Sequence, residues 1–245
     1  MTLNRDEFRA KLEETLHERL TISHPIFSLL LDPDHPDLNL VQKVALQGYQ
    51  LTKHFLEYIE HLFFYCPIPK HKKRLLHNMY EEETGRLSGT KNHVKLMQDF
   101  LLALGLDDQT RDAAKALPAT QALIDYRMEA VKDPAKYHIG AAAVTIASEG
   151  QNLEILGAES RDVLFERVYG LRSEDLLFFS VHQIEDVGHV RQGLDLVSDI
   201  CTDDHLQEEA LFAVSHTCEL FYGMYEGIYQ EFQKGSLELP VTSGV

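Results

Sequence analysis

The chain has 245 residues, of which 44% are hydrophobic and 25% are charged, a balance that suits a globular protein with a substantial core. Its net charge of −16 argues against nucleic acid and anionic membranes as partners, because their phosphate groups would repel it. Three widely spaced cysteines do not form a disulfide framework or a zinc knuckle, and we interpret them as reduced thiols. With no apolar signal region and no run near the ~20 residues of a membrane span, we expect a cytoplasmic protein with one domain over residues 1–245.

Helical signals follow one another along the chain, and no segment has the alternating pattern of a strand. A stripe through Phe8, Leu12 and Leu16 marks the first helix. The helix that starts at Leu38 is apolar nearly all round, as in the centre of a bundle. We predict helices over residues 5–20, 38–66, 71–84, 92–104, 118–131, 141–156, 173–200 and 204–234, with a short apolar piece over residues 25–31 and a further element capped by Asp107. The sequence therefore predicts an all-α bundle of seven to nine helices.

Two histidines and an aspartate in the segment 173–200 form the clearest chemical pattern of the chain. His182, Asp186 and His189 stand at i, i+4 and i+7, so on a helix they project from one face over roughly 10 Å of its axis. Two imidazoles and a carboxylate that converge in this way can hold a redox metal such as iron. The pattern indicates an enzyme rather than a scaffold.

A metal site inside a helical bundle needs ligands from more than one helix. Glu149 is one candidate, because it ends a run of small and apolar residues where a carboxylate is costly to bury without a metal or a counter-charge. The acidic run at residues 81–83 and His93 provide another. On an unbroken helix Glu82 and His93 would lie ~16 Å apart, whereas the two metals of a dinuclear site are about 4 Å apart. We therefore expect the helix to break between them, near Gly85.

These motifs resemble those of the haem-oxygenase-like superfamily, which includes the TenA thiaminases and the pyrroloquinoline-quinone synthesis protein PqqC. His182, Asp186 and His189 form an H-x3-D-x2-H pattern with Glu149 just over thirty residues upstream, which is similar to the dimetal branch of that superfamily. That branch, the haem-oxygenase-like di-iron oxidases, is typified by the Chlamydia protein associating with death domains (CADD). Its E-E-x-G and N-H motifs fall on residues 82–85 and 92–93. The resemblance covers most of the chain.

The resemblance implies a haem-oxygenase-like bundle and a dimetal site with six ligands, namely Glu82, His93, Glu149, His182, Asp186 and His189. Extra residues between Glu82 and His93 leave Glu81 and Glu83 open as alternatives to Glu82. The implied cofactors are two Fe(II) ions, or iron with manganese, and dioxygen is the co-substrate. The implied reaction is oxidation or cleavage of a small amine, amino-acid or fatty-acid-like metabolite. An external electron donor and a homodimer are both compatible with this interpretation.

The candidate substrate-binding residues are His24, Phe27 and Tyr49. Some members of the branch make p-aminobenzoate by sacrificing one of their own tyrosines, with a lysine acting nearby. The resemblance places Phe27 at the position of that tyrosine and Glu159 at the position of that lysine. Because phenylalanine has no phenol to donate, we favour oxidation of a separate small molecule over p-aminobenzoate synthesis.

Four other functions stay open at this point. A PqqC-like metal-free oxidase would use the same histidines to hold a quinone precursor. A TenA-like thiamine-salvage hydrolase would need a cysteine beside carboxylates, which none of the three cysteines has in sequence. A haem protein would need a proximal histidine on the first helix, for which His17 or His24 would serve. The last alternative is a non-enzymatic interaction protein, and only the acidic composition of the chain favours it.

Overall fold

Eleven α-helices account for most of residues 2–151, 153 and 159–239, the part of the chain that the computed structural model describes, and this part contains no strand. The helices are α1 (Arg5–His17), α2 (Pro25–Leu30), α3 (Leu38–Tyr65), α4 (Pro69–Thr84), α5 (His93–Ala103), α6 (Asp108–Ala113), α7 (Pro118–Lys132), α8 (Tyr137–Ala141), α9 (Arg161–Tyr169), α10 (Leu177–Ile200) and α11 (Asp204–Gln233). A π-helix, Ala142–Ser148, follows α8 directly. Nine of these segments have seven or more residues, which confirms the prediction of an all-α protein with seven to nine helices.

Most helices begin and end close to where the sequence predicts them. Asp107 caps α6, as expected, because its side chain accepts a hydrogen bond from the backbone N–H of Thr110 at 2.8 Å. The helix predicted over residues 141–156 begins earlier, at Tyr137, and its predicted end lies outside the described residues. No helix was predicted at α9, because only Phe165 and Val168 are buried among its nine residues and they form no clear apolar stripe.

The long helices pack around two apolar clusters. α10 and α11 both pack against the π-helix, α1 packs against α10 and α11, and α3 packs against α4, α5 and α7. The first cluster includes Leu12, Tyr58, Val144, Val197 and Val214, and the second includes Leu30, Leu46, Phe100, Phe165 and Ile228. None of the helices in the described part of the chain is long and apolar enough to cross a membrane.

The π-helix and α10 approach each other unusually closely. A Cβ atom at Gly193 of α10 would lie 2.3 Å from the carbonyl oxygen of Thr145 and 2.6 Å from its hydroxyl. Only glycine therefore fits at this crossing. π-Helical segments are rare and occur often at functional sites. This one ends at Ser148, directly before Glu149, so the close crossing holds that carboxylate beside α10.

A tight loop separates α4 from α5. Gly85 ends α4 with a left-handed backbone (φ +61°), and its N–H donates to the carbonyl of Glu81 at 2.7 Å. The N–H of Thr90 then donates to the carbonyl of Gly85 at 2.7 Å. The chain is thereby turned back on itself, and α5 begins at His93, close to the end of α4. The predicted helix break between Glu82 and His93 is present.

Candidate metal centre

The first group of predicted ligands combines three helices. Ligand atoms of Glu82 on α4, His93 on α5 and His182 on α10 lie within 4.8 Å of one another, and all three residues are buried. Nδ1 of His93 is 3.0 Å from Oε1 of Glu82, and the rings of His93 and His182 meet edge to face with centroids 4.7 Å apart. We call these residues the first triad.

The second group lies next to it along α10. Ligand atoms of Glu149, Asp186 and His189 lie within 4.8 Å of one another, and we call these residues the second triad. Nδ1 of His189 is 3.5 Å from Oε1 of Glu149 and 3.6 Å from Oδ1 of Asp186. Asp186 follows His182 by one helical turn, so α10 contributes to both triads. The structure thus brings the six predicted ligands together as two neighbouring sets of three.

Several buried polar atoms of the triads lie within ion-pair distance of one another but make no well-aligned hydrogen bond among the described residues. They are both ring nitrogens of His93, both carboxylate oxygens of Asp186 and Nδ1 of His189. Buried polar atoms are nearly always hydrogen-bonded in folded proteins, so a cluster without such bonds in one place calls for a missing partner. Three imidazoles and three carboxylates are also the mixed donor set that suits iron or manganese. The residues present therefore fit a pair of such metal ions.

His182 has a defined tautomer. Its Nδ1 donates to the carbonyl oxygen of Phe178 at 2.6 Å, so Nε2 carries the free lone pair. Burial lowers the pKa of His182 to about 4, which keeps the imidazole neutral at pH 7. A neutral imidazole held by a backbone carbonyl through its other nitrogen is the usual form of a metal-binding histidine.

The carboxylates around the other two histidines raise the pKa values of both. Burial disfavours the charge on His189, but the carboxylates of Glu149 and Asp186 outweigh it and raise the pKa to about 11. Burial likewise opposes the charge on His93, and Glu82 reverses the effect and raises its pKa to about 8. Burial, reinforced by the charge of Glu149, raises the pKa of Asp186. Each triad therefore stabilises positive charge next to its buried carboxylates.

The three consecutive glutamates at the end of α4 have different surroundings. The carboxylate of Glu81 accepts hydrogen bonds from the backbone N–H groups of Leu87 and Ser88, at 2.7 and 3.2 Å, and stabilises the loop. Glu83 is exposed. Glu82 is buried beside His93. The geometry therefore favours Glu82 among the three candidates that the sequence left open.

Glu185 is an acidic residue near the first triad that was not predicted from the sequence. Oε2 of Glu185 lies 3.9 Å from Nε2 of His93, and ligand atoms of Glu185, Glu81 and His93 also lie within 4.8 Å of one another. Burial, followed by the charges of nearby carboxylates, raises the pKa of Glu185 to about 7 although His93 opposes the shift. Its position three residues after His182, on the same side of α10, was the signal that could have found it.

A cavity of about 150 Å³ adjoins the triads. Glu82, Glu149 and His182 form part of its wall, together with the arginines Arg127 and Arg161. The wall is otherwise mostly aromatic and aliphatic, and includes Phe27, Phe55, Phe100, Phe165, Phe178, Phe179, Phe221 and Tyr225. A small and largely apolar molecule in this cavity would touch side chains of both triads.

Only one of the three residues that we predicted to bind substrate lines this cavity. Phe27 does so, whereas His24 and Tyr49 do not. Nδ1 of His24 accepts the N–H of Ile26 at 3.1 Å to cap α2, so the ring serves the start of that helix. The hydroxyl of Tyr49 accepts a hydrogen bond from Gln98 at 3.1 Å, away from the triads.

The residues at the two positions linked to tyrosine sacrifice differ in location. Phe27 packs against Tyr225 in the cavity wall, with ring centroids 5.0 Å apart. Glu159 is exposed and forms an ion pair with Arg167 at 2.8 Å, and it does not line the cavity. The position that corresponds to the lysine therefore lies outside the cavity wall in this protein.

Comparison with known proteins identifies the family. Residues 42–222 match the haem-oxygenase-like family that is described as iron-containing redox enzymes. The chain belongs to this family. It is an iron-containing oxidoreductase of the haem-oxygenase-like fold, which confirms the family, the fold and the enzyme class predicted from the sequence.

Individual relatives are consistent with the CADD-like branch. A 4-aminobenzoate synthase of Nitrosomonas europaea is 29% identical over 163 residues, which cover 66% of this chain and only 63% of that protein. A 4-aminobenzoate synthase of Chlamydia muridarum is 22% identical over 223 residues, which cover 91% of this chain and 90% of that protein. Among solved structures, a CADD-like protein of unknown function from Nostoc punctiforme has a TM-score of 0.68 at 16% identity, covering 96% and 99% of the two chains.

Proposed function

We propose that this enzyme is a non-haem dimetal oxidase or oxygenase that uses dioxygen to oxidise or cleave a small amine, amino-acid or fatty-acid-like molecule. The first triad would hold one metal ion and the second triad the other, as two irons or as iron and manganese. When bound, two ferrous ions would supply the reducing electrons that activate dioxygen. An external donor would return electrons in reactions in which the substrate does not provide them.

One observation carries this proposal: two adjacent triads of buried ligand atoms lie next to a largely apolar cavity. Several of these ligand atoms make no hydrogen bond to the described residues. Either triad alone would support a single metal ion. Two triads that share α10 support two ions within reach of one substrate. The affiliation with iron-containing redox enzymes agrees with this arrangement.

The surrounding side chains have definable roles in this proposal. The carbonyl of Phe178 orients His182, and Nδ2 of Asn78 donates to Oε1 of Glu149 at 3.1 Å and orients that carboxylate. Glu81 holds the loop that returns His93 to the end of α4. The phenylalanine-rich wall would disfavour water in the cavity, so a bound substrate would face a mostly apolar surface.

Oxygen reactivity tests the proposal. Protein loaded anaerobically with ferrous iron and then mixed with dioxygen should consume oxygen and develop a transient visible absorption. His182→Ala should lose both signals, because it removes a predicted ligand of the first triad. The matched control is His205→Ala, since His205 is 78% exposed on α11 and outside both triads, and it should behave as the wild type. Wild-type protein that reacts no faster than free ferrous iron would contradict the proposal.

A second candidate function is suggested by the names of the relatives, which are 4-aminobenzoate synthases. Although Phe27 has no phenol, the phenol of Tyr225 lines the same cavity. If this side chain were the source of the product, iron and oxygen treatment should release 4-aminobenzoate and change the mass of the peptide that contains Tyr225. Tyr225→Phe should abolish both changes. Release of no 4-aminobenzoate by iron-loaded protein in the presence of oxygen would exclude this candidate.

A further inference from the structure

One arginine at the cavity has no anionic partner among the residues that the structure describes. Arg127 on α7 is only 1% exposed. Its Nε donates to the carbonyl of Leu123 and its Nη1 donates to the hydroxyl of Ser148, each at 3.2 Å. Its Nη2 makes no hydrogen bond to any of the described residues. A buried guanidinium normally has a carboxylate or a full set of acceptors, so this one is incompletely satisfied.

Arg127 belongs to the cavity wall. Ser148, which accepts its hydrogen bond, lines the cavity, and so does Phe221, whose ring centroid is 5.3 Å from the guanidinium carbon. On another side the ring of Tyr58 lies 4.7 Å away. The two rings stabilise the cation through their π faces, but they carry no negative charge to neutralise it.

We propose that Arg127 anchors a carboxylate of the substrate, so that the substrate class is a small carboxylate with an apolar body. A guanidinium holds a carboxylate through paired, charge-assisted hydrogen bonds, and the free Nη2 is available for one of them. A cavity of about 150 Å³ accommodates a body about the size of benzene. The inference rests on the proposed function for where the reaction occurs, because Glu82, Glu149 and His182 line the same cavity.

Binding to the metal-free protein tests this anchor without the need for activity. We would titrate benzoate and its neutral counterpart benzamide into chelator-treated protein by calorimetry. Benzoate should bind at least about 30-fold more tightly than benzamide, because a buried charge pair is lost with the amide. Equal affinities in the wild type would overturn the inference.

Two variants assign the preference to one residue. Arg127→Met should abolish the preference for benzoate, and it should leave the melting temperature unchanged or raised, because it replaces an uncompensated buried charge with an apolar side chain. Arg161→Met alters the other arginine of the cavity wall and should retain the preference. Retention of the preference in Arg127→Met, or its loss only in Arg161→Met, would overturn the assignment.

A further variant and a metal measurement complete the test. Arg127→Lys keeps the charge without the fork of donors and should weaken benzoate binding by about tenfold while leaving benzamide binding unchanged, so it covers the case in which Arg127→Met does not fold. Unchanged benzoate binding in Arg127→Lys would count against the anchor.

Protein that binds iron at the triads but does not prefer benzoate would overturn the anchor alone. Protein that prefers benzoate but takes up no iron would overturn the dimetal function and leave the anchor standing.

Discussion

A hydrogen bond from Nδ1 of His182 to the carbonyl of Phe178 fixes the imidazole with its other nitrogen free. Helical spacing was enough to predict that His182, Asp186 and His189 share one face, because they lie on one continuous helix. A functional residue that is the only one on its helix has no partner at helical spacing, so the sequence pattern does not reveal it. Arg127 is one of them, and its isolation inside the cavity became visible only when α7 was placed against Ser148 and Phe221.

At the residue scale, Glu82 and Glu83 form a matched pair of adjacent glutamates. Glu82→Ala should lower the iron content from about two ions per chain to about one or less, because it removes a carboxylate from the first triad. Glu83→Ala removes an exposed carboxylate and should leave the iron content unchanged. Elemental analysis of protein reconstituted with ferrous iron measures both. An equal loss of iron in the two variants would contradict the choice of Glu82.

The two triads depend on how the helices that carry them are placed. The break at Gly85 was predictable, because Glu82 and His93 could not otherwise belong to one site. The π-helix was not predictable, because its alanine-rich sequence is equally suited to an ordinary α-helix. The need for glycine at residue 193 likewise arises from a contact with Thr145, which lies far away in sequence.

At the element scale, two glycines of α10 provide a controlled comparison. Gly193→Ala would force its new methyl group into the backbone of Thr145, and it should destabilise the protein by about 1–3 kcal/mol and reduce iron binding at the second triad. A methyl group at Gly188 meets no atom within 4 Å. Gly188→Ala should therefore be neutral or stabilising by up to about 1 kcal/mol. Thermal unfolding and iron content measure these effects. A Gly193→Ala protein as stable as the wild type would contradict the close crossing.

At the scale of the whole molecule, the triads place three carboxylates inside the bundle, and in the metal-free protein their charge is offset by His93 and His189, whose pKa values they raise. Burial raises the pKa of Asp186, which indicates that charge at this position is unfavourable in the metal-free protein. The fold and the family could be predicted from the sequence, because the helical periodicity and the ligand motifs extend over most of the chain. The substrate could not be predicted, because the cavity wall is assembled from side chains of many helices.

Iron binding should therefore stabilise the whole fold. At a free iron concentration about 100 times the dissociation constant, binding to the folded state alone adds about 2.7 kcal/mol. For a chain of this size that corresponds to a rise in melting temperature of roughly 5–10 °C. Differential scanning calorimetry under anaerobic conditions measures the rise, and His182→Ala should show a smaller one. A melting temperature that does not change with iron would contradict this expectation.

The central claim is that the six side chains hold two metal ions, one at each triad. Crystals of the iron-loaded protein, measured with X-rays above and below the iron absorption edge, test it most directly. We predict two anomalous peaks per chain, one among Glu82, His93 and His182 and one among Glu149, Asp186 and His189. A single peak, or a peak away from these residues, in fully loaded protein would contradict the account.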